Sequence, residues 1–239
     1  MNLTEGSKNG IFRKNATIAG ILYIVGTVSG ILSLVFTGPV LESSDYLTQI
    51  SMHPNQIITG TLFVLIMGLA LVMVPVMIFP VLKKFNEVLA VGYIVFRGAL
   101  EGVTYLILVI GWLSLPLIGQ RYVMADAANV PYFQSLGDLV LDVHDQIGNV
   151  LTIVFILGAL MFYYVLFQSK LVPRWLSGWG LLAAIPYLFS GVLGLFAILS
   201  PMSSAQMVLV LPLAVQEMVL AIWLIVKGFN PSVLASESV

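Results

Sequence analysis

Residues 88–118 read VLAVGYIVFRGALEGVTYLILVIGWLSLPLI, and apart from Arg97 and Glu101 the stretch carries no charge. A helix rises 1.5 Å per residue, so about 20 apolar residues cross a hydrocarbon core about 30 Å thick. This stretch is therefore read as a membrane span. Each of its charges costs about 2.5–3.5 kcal/mol on insertion scales, which predicts that both have partners. Their i,i+4 spacing places them on one helix face.

Five further stretches have the same character. The spans read as approximately 16–38, 56–80, 88–118, 143–167, 175–199 and 207–226. Pro116 is expected to end or kink the third, because proline lacks the N–H that a helix interior needs. The composition agrees with a single membrane domain over residues 1–239. Hydrophobic residues make up 59% of the chain and charged residues 9%, with a mean hydropathy of +1.04. A soluble domain carries about 25% charged residues, so this chain cannot cover itself with a water-compatible surface. The fold class is all-α, a polytopic integral membrane protein of six helices whose partner is the lipid bilayer.

Charge placement gives an orientation. Lys8, Arg13 and Lys14 precede the first span, Lys83 and Lys84 follow the second, Lys170 and Arg174 follow the fourth, and Lys227 follows the sixth. These lie on one side, with Arg121 on the other and Arg97 in the membrane. The positive-inside rule then expects both termini in the cytoplasm and the chain in the cytoplasmic membrane. The opposite side holds Glu42, Asp45, Asp126 and Asp138, and its longer loops, 39–55 and 119–142, have room for short helices. The first apolar run is too long for a signal peptide and no small-x-small cleavage site follows it, so it reads as an uncleaved helix. Residues 228–239 read as a flexible tail. A net charge of −1 with no basic cluster gives no footprint for nucleic acid. The absence of cysteine excludes disulfides, thiolate metal sites and thiol redox chemistry.

Several residues invite a functional reading. Glu217 lies near the middle of the sixth span, at about the depth of Glu101. An Arg97 set between Glu101 and Glu217 would satisfy all three groups, with the surplus negative charge relieved by a proton on one carboxyl. Such a cluster is either a lock fixing how the third and sixth helices pack, or a site that binds or conducts a small molecule, lipid or ion. An acidic lipid or carboxylate would be drawn to Arg97. A cavity reaching Arg97 would favour binding, and dry packing around satisfied charges would favour the lock.

A second polar group is His144, Asp145 and Asn149 at the start of the fourth span. Asp138, Asp142 and Asp145 share a helix face, and acids are favoured near a helix N-terminus in any case. The sharper reading makes His144 proton-responsive or metal-binding, with His53 joining it, but two histidines and scattered acids form no recognised ligand spacing. No metal and no cofactor is expected. Gly26-x-x-x-Gly30 and Gly98-x-x-x-Gly102 are small-residue patterns that let helices approach closely, within the bundle, in a homo-oligomer or against a partner helix. Pro186 is expected to kink the fifth span and free a carbonyl. Tyr23, Tyr93, Tyr105, Tyr187 and Trp112 read as packing or interface aromatics.

Enzyme motifs are missing. There is no phosphate-binding glycine loop and no His-Glu-x-x-His, and Ser29-Gly30 and Ser190-Gly191 have no histidine at matching depth to act as a base. No catalytic residue is assigned, and an intramembrane enzyme ranks behind both other readings. One internal echo is visible: Ala19, Ile21, Tyr23, Val28 and Gly30 recur as Ala183, Ile185, Tyr187, Val192 and Gly194. As a duplication it would be a parallel repeat, but apolar helices share letters easily and coincidence is the simpler account.

A wider pattern joins these positions. Arg13-x-x-Ala16-x-Ile18-Ala19-Gly20-x-x-Tyr23, Phe96-Arg97, His144-x-x-x-Gly148, Pro173-Arg174-Trp175-Leu176 and Glu217-x-x-Leu220-x-x-Trp223-Leu224-x-x-Lys227-Gly228 occur in this order. The chain thereby resembles small bacterial and archaeal six-helix membrane proteins catalogued only as a domain of unknown function. The resemblance covers most of the chain and implies the six-helix fold. It implies no activity. One departure is His53-Pro54-Asn55-Gln56, where the resemblance leads one to expect an arginine near the start of the second span.

Overall fold

A computed structural model describes residues 3–200 and 203–236. The elements in chain order are α1 (Leu3–Leu41), α2 (Tyr46–Met52), α3 (Pro54–Leu82), α4 (Glu87–Tyr93), a π-helical segment (Ile94–Leu100), α5 (Glu101–Met124), α6 (Val130–Ser169), α7 (Arg174–Leu195), α8 (Ser204–Val226) and α9 (Pro231–Ser236). Among the described residues there is no strand. Six helical stretches are long and apolar enough to cross a membrane: Gly10–Leu41, Pro54–Leu82, Glu87–Met124, Val130–Ser169, Arg174–Leu195 and Ser204–Val226. Their outward faces carry exposed residues such as Leu69, Ile110, Leu182 and Val208. That is the surface expected where lipid, and not water, is the solvent.

Local chemistry sets the helix ends. Asn86 accepts a hydrogen bond from the Leu89 N–H at 2.9 Å and opens α4, while Ser203 accepts one from Gln206 at 3.3 Å and opens α8. Both satisfy N–H groups that a first turn leaves orphaned. Lys170 adopts φ 59° and closes α6 with its N–H on the Leu166 carbonyl, and Pro173 prevents the helix from resuming before α7.

The long helices pack as neighbours in chain order: α1 on α3, α3 on α5, α5 on α6, α6 on α7, α7 on α8, and α8 back on α1. The result is a closed ring. Its last contact is tied at one end, where Arg13 donates to the carbonyls of Leu224, Ile225 and Val226 at 2.9, 2.7 and 3.0 Å. The ammonium of Lys84 lies over Phe12, 4.7 Å from the ring centroid, and Lys170, Arg174 and Lys227 surround one cleft, so the basic residues gather at this end. At the opposite end α2 packs on α5, and Tyr46 donates to Asp138 at 2.7 Å. Burial and the Asp138 carboxylate hold the Tyr46 phenol above its usual range.

Three sequence expectations change. α5 runs through Pro116 to Met124 without ending there, because neighbouring helices supply the packing that holds a proline-containing helix together. Only the loop after α1 contains a short helix, α2; the second loop is largely absorbed by α6, which starts at Val130 with Pro131 in its first turn, a position that needs no N–H. The stretch read as a tail contains a helix. Pro231–Ser236 forms α9, and Phe229 and Leu234 are buried. Residues 237–239 lie outside the described residues. Pro186 sits inside an uninterrupted α7.

Candidate functional site

The third span changes its winding at the site. Ile94–Leu100 is π-helical, and the Glu101 N–H reaches back to the carbonyl of Phe96, five residues earlier. Such widened turns shift the phase of the helix that follows and are frequent at functional positions. Here the turn carries Arg97, which is 2% exposed. α6 approaches this turn closely because residue 158 is glycine. A Cβ there would lie 3.1 Å from the Arg97 nitrogen and 3.2 Å from the Phe96 Cβ.

Arg97 divides its guanidinium between two carboxylates. Nη1 donates to Glu101 Oε1 at 3.2 Å, and Nη2 donates to Glu217 Oε1 at 3.3 Å. Its carbon lies 4.1 Å from the centroid of Phe155 and 5.8 Å from that of Tyr23. The two edges are thus engaged and the face is covered. Removing one partner of a buried pair costs about 3–5 kcal/mol, because the other charge is left uncompensated. The triangle therefore ties the π segment to α8 whatever else it does.

It is also the floor of a cavity. A space of about 450 Å³ lies inside the ring, with wall residues from all six long helices, among them Gly30, Met67, Trp112, Leu151, Tyr187 and Glu217. From the triangle it extends along α1 and α5 towards the end that carries α2, as far as Trp112 and His144. Among the described residues, the buried side-chain polar atoms that form no hydrogen bond are Ser33 Oγ, Glu101 Oε2, Trp112 Nε1 and His144 Nδ1. All four residues line this one cavity. Native interiors leave few such atoms, so four of them on residues around one space call for an explanation. The Tyr105 hydroxyl stands beside Glu101 but outside hydrogen-bond geometry with Oε2.

Towards the basic end the ring is filled. The Tyr23 and Tyr93 hydroxyls meet at 3.3 Å, and Tyr93 stacks on Phe162 with centroids 4.8 Å apart. Tyr163 donates to Gln216 Oε1 at 2.6 Å, while Gln216 Nε2 donates to the Leu176 carbonyl at 3.0 Å. These side chains are buried. Their polar atoms are matched, unlike those on the cavity side, so the two halves of the ring interior differ in kind.

The structure brings Arg97, Glu101 and Glu217 together and divides the other polar group. His144 turns into the cavity and stacks on Trp112, with centroids 4.7 Å apart and the planes 8° from parallel. Asp145 lines a separate cleft with Asp142 and Gly194, and Asn149 packs against Gly191 and Gly194 of α7. The reason is the helical turn: His144 and Asp145 are adjacent, so about 100° separates their directions. His53 is exposed at the start of α3. Among the described residues no group of three or more His, Cys, Asp or Glu could hold a metal ion.

All four glycines of the small-residue pairs face α3. Cβ atoms on Gly26, Gly30 and Gly102 would lie 2.6, 2.8 and 2.9 Å from Leu71, Met67 and Val72, and one on Gly98 would contact Pro75. Within the bundle they are occupied by packing. Sequence reasoning missed Ser33, Gly158 and the Tyr163–Gln216 pair. A glutamine beside Glu217 in an apolar span was the available signal for the last, since a polar side chain there needs a partner.

A family model described as Domain of unknown function (DUF4386) matches residues 18–228. The match takes in the triangle, the cavity wall and the sealed layer. No curated protein and no solved structure matches the chain.

Proposed function

We propose, for a chain that belongs to the family described as a domain of unknown function (DUF4386), that it is a multi-pass protein of the cytoplasmic membrane whose ring interior binds a small molecule or ion. Arg97, Glu101 and Glu217 form the floor of the site. Catalysis is not part of the reading, since the cavity holds no nucleophile with a positioned base. Both termini face the cytoplasm, in keeping with the basic residues gathered at one end. The cavity then faces the other compartment and the matched layer of Tyr23, Tyr93, Tyr163 and Gln216 closes the cytoplasmic side.

One observation carries this proposal: the unpaired buried polar atoms all belong to one cavity wall. A bundle that used its charges only for packing would leave no reason for four orphaned groups around about 450 Å³ of space. That volume lies within the about 300–1,000 Å³ typical of small-molecule sites. The test is native mass spectrometry of gently purified protein. A retained species is expected, and Arg97→Gln should release it. Absence of any bound species from protein extracted without delipidation, together with unchanged spectra for Arg97→Gln, would sink the proposal.

A second reading is favoured by the bond of Arg97 to Glu217, which makes the triangle a lock in a structural or regulatory subunit. Exchanging the two residues, Arg97→Glu with Glu217→Arg, decides between them. Recovery of folding and of any retained species would assign the pair to the lock. Recovery of folding alone, with the species lost, would assign it to the site.

A further inference from the structure

We infer that the guest is an organic ammonium ion whose body ends in a hydrogen-bond acceptor, an inference that rests on the cavity being a binding site. Arg97 is already flanked by its partners. Nη1 and Nη2 already donate to Glu101 and Glu217, and the face of the guanidinium lies over Phe155. An anion entering the cavity would meet two carboxylates flanking the one guanidinium, two of whose five N–H groups already donate to them. The groups without a partner have the opposite demand. Glu101 Oε2 is an acceptor without a hydrogen bond, on a residue that is 1% exposed and lines the cavity.

Charge points the same way. One guanidinium and two carboxylates leave one negative charge over, in a setting where unbalanced charge is costly. An ammonium at Glu101 Oε2 takes the place of the proton that otherwise neutralises the set, and supplies the missing donor. The wall above it suits such an ion, since Tyr105 and Tyr187 line the same space and aromatic faces attract cations.

The distal end selects differently. Trp112 Nε1 is a donor only; it is unpaired, and Trp112 is 7% exposed. Because Trp112 lies parallel to His144, the indole N–H cannot point at the imidazole it stacks on. It needs an acceptor from the guest, such as an ether, carbonyl or hydroxyl oxygen. Glu101 and Trp112 are eleven residues apart on α5, about 16 Å along the axis. A guest of one ring and a short chain bridges much of that distance once both side chains reach inward.

Three matched probes test this with the full chain in lipid nanodiscs, read by isothermal titration calorimetry: para-methoxyphenethylammonium, para-methoxyphenylacetate and para-methoxyphenethyl alcohol. The ammonium is expected to bind, with at least a ten-fold preference over the other two, and Glu101→Gln should remove that preference. Trp112→Phe keeps the stack and all three charges. It should weaken the methoxy ammonium several-fold and leave plain phenethylammonium unchanged, so the test stands even if Glu101→Gln does not fold. Binding of the acetate or the alcohol in preference to the ammonium overturns the guest's chemistry and leaves the site itself intact. No heat with any probe also overturns the inference. Only that result combined with no retained species in mass spectrometry overturns the site as well.

Discussion

Arg97 and Glu217 are 120 residues apart in sequence and meet at 3.3 Å inside the ring. Glu217 keeps 15% of its side chain exposed, against 1% for Glu101. The two carboxylates that share one guanidinium are therefore not equivalent. Glu101 lies on the same helical span as Arg97, whereas Glu217 reaches in from the helix that closes the ring. A pair of this kind holds two elements together through charge that neither could bury alone.

Arg97→Ala should cost about 3–5 kcal/mol, because two buried carboxylates lose their counterion. Replacing the whole set with Arg97→Met, Glu101→Leu and Glu217→Met should recover most of the loss. Thermal unfolding in nanodiscs followed by tryptophan fluorescence reads both. A triple variant as unstable as Arg97→Ala would mean that shape, and not uncompensated charge, is what the site supplies.

Gly158 permits the approach of α6 to the π segment, with room for no Cβ beyond 3.1 Å from the Arg97 nitrogen. Gly158→Ala should be mildly destabilising and Gly158→Val should cost about 1–3 kcal/mol, the range for overpacking a tight interior. Because the obstacle is backbone, repacking cannot absorb it. Unfolding temperatures that are equal for Gly158 and Gly158→Val would show that the two helices stand further apart than described.

His144 and Trp112 offer a separation of stability from binding. His144→Phe keeps the stacked ring and deletes an unpaired nitrogen, so its melting temperature should stay the same or rise. A retained or added guest should be held differently by the same variant, read as a change in dissociation constant. A clear loss of stability would mean that His144 Nδ1 has a partner in the folded protein.

Orientation is open to a direct measurement because the chain has no cysteine. Ser232→Cys lies in α9 at the basic end, and Ala127→Cys lies between α5 and α6 at the other. In intact cells a membrane-impermeant maleimide should label Ala127→Cys and spare Ser232→Cys until the membrane is permeabilised. The reverse pattern would invert the compartment assignments.

The six apolar helices were legible in composition and run length. Desolvation of a backbone in lipid leaves an apolar run of this length little choice but a helix. The candidate residues Arg97, Glu101 and Glu217 were legible for the same reason, since charge stands out against an apolar background. The breaks were less so. Pro116 reads as a stop, yet packing carries α5 past it, and the polar stretch before Asp142 reads as a loop although Leu136 and Val140 pack on the core as part of α6. Local propensity is a weak guide where a neighbouring helix supplies the missing contacts.

The sequence by itself determined the six long apolar helices and which of them carry charge, both of which depend on hydropathy and on the fixed rise of a helix. Tertiary structure decided the rest. It wound Ile94–Leu100 into a π turn, put Gly158 against Arg97, turned His144 inward and Asp145 away, and sealed one half of the ring while leaving the other hollow. Those outcomes turn on the direction of side chains and on how near two helices come, and both are set by residues far apart in the chain.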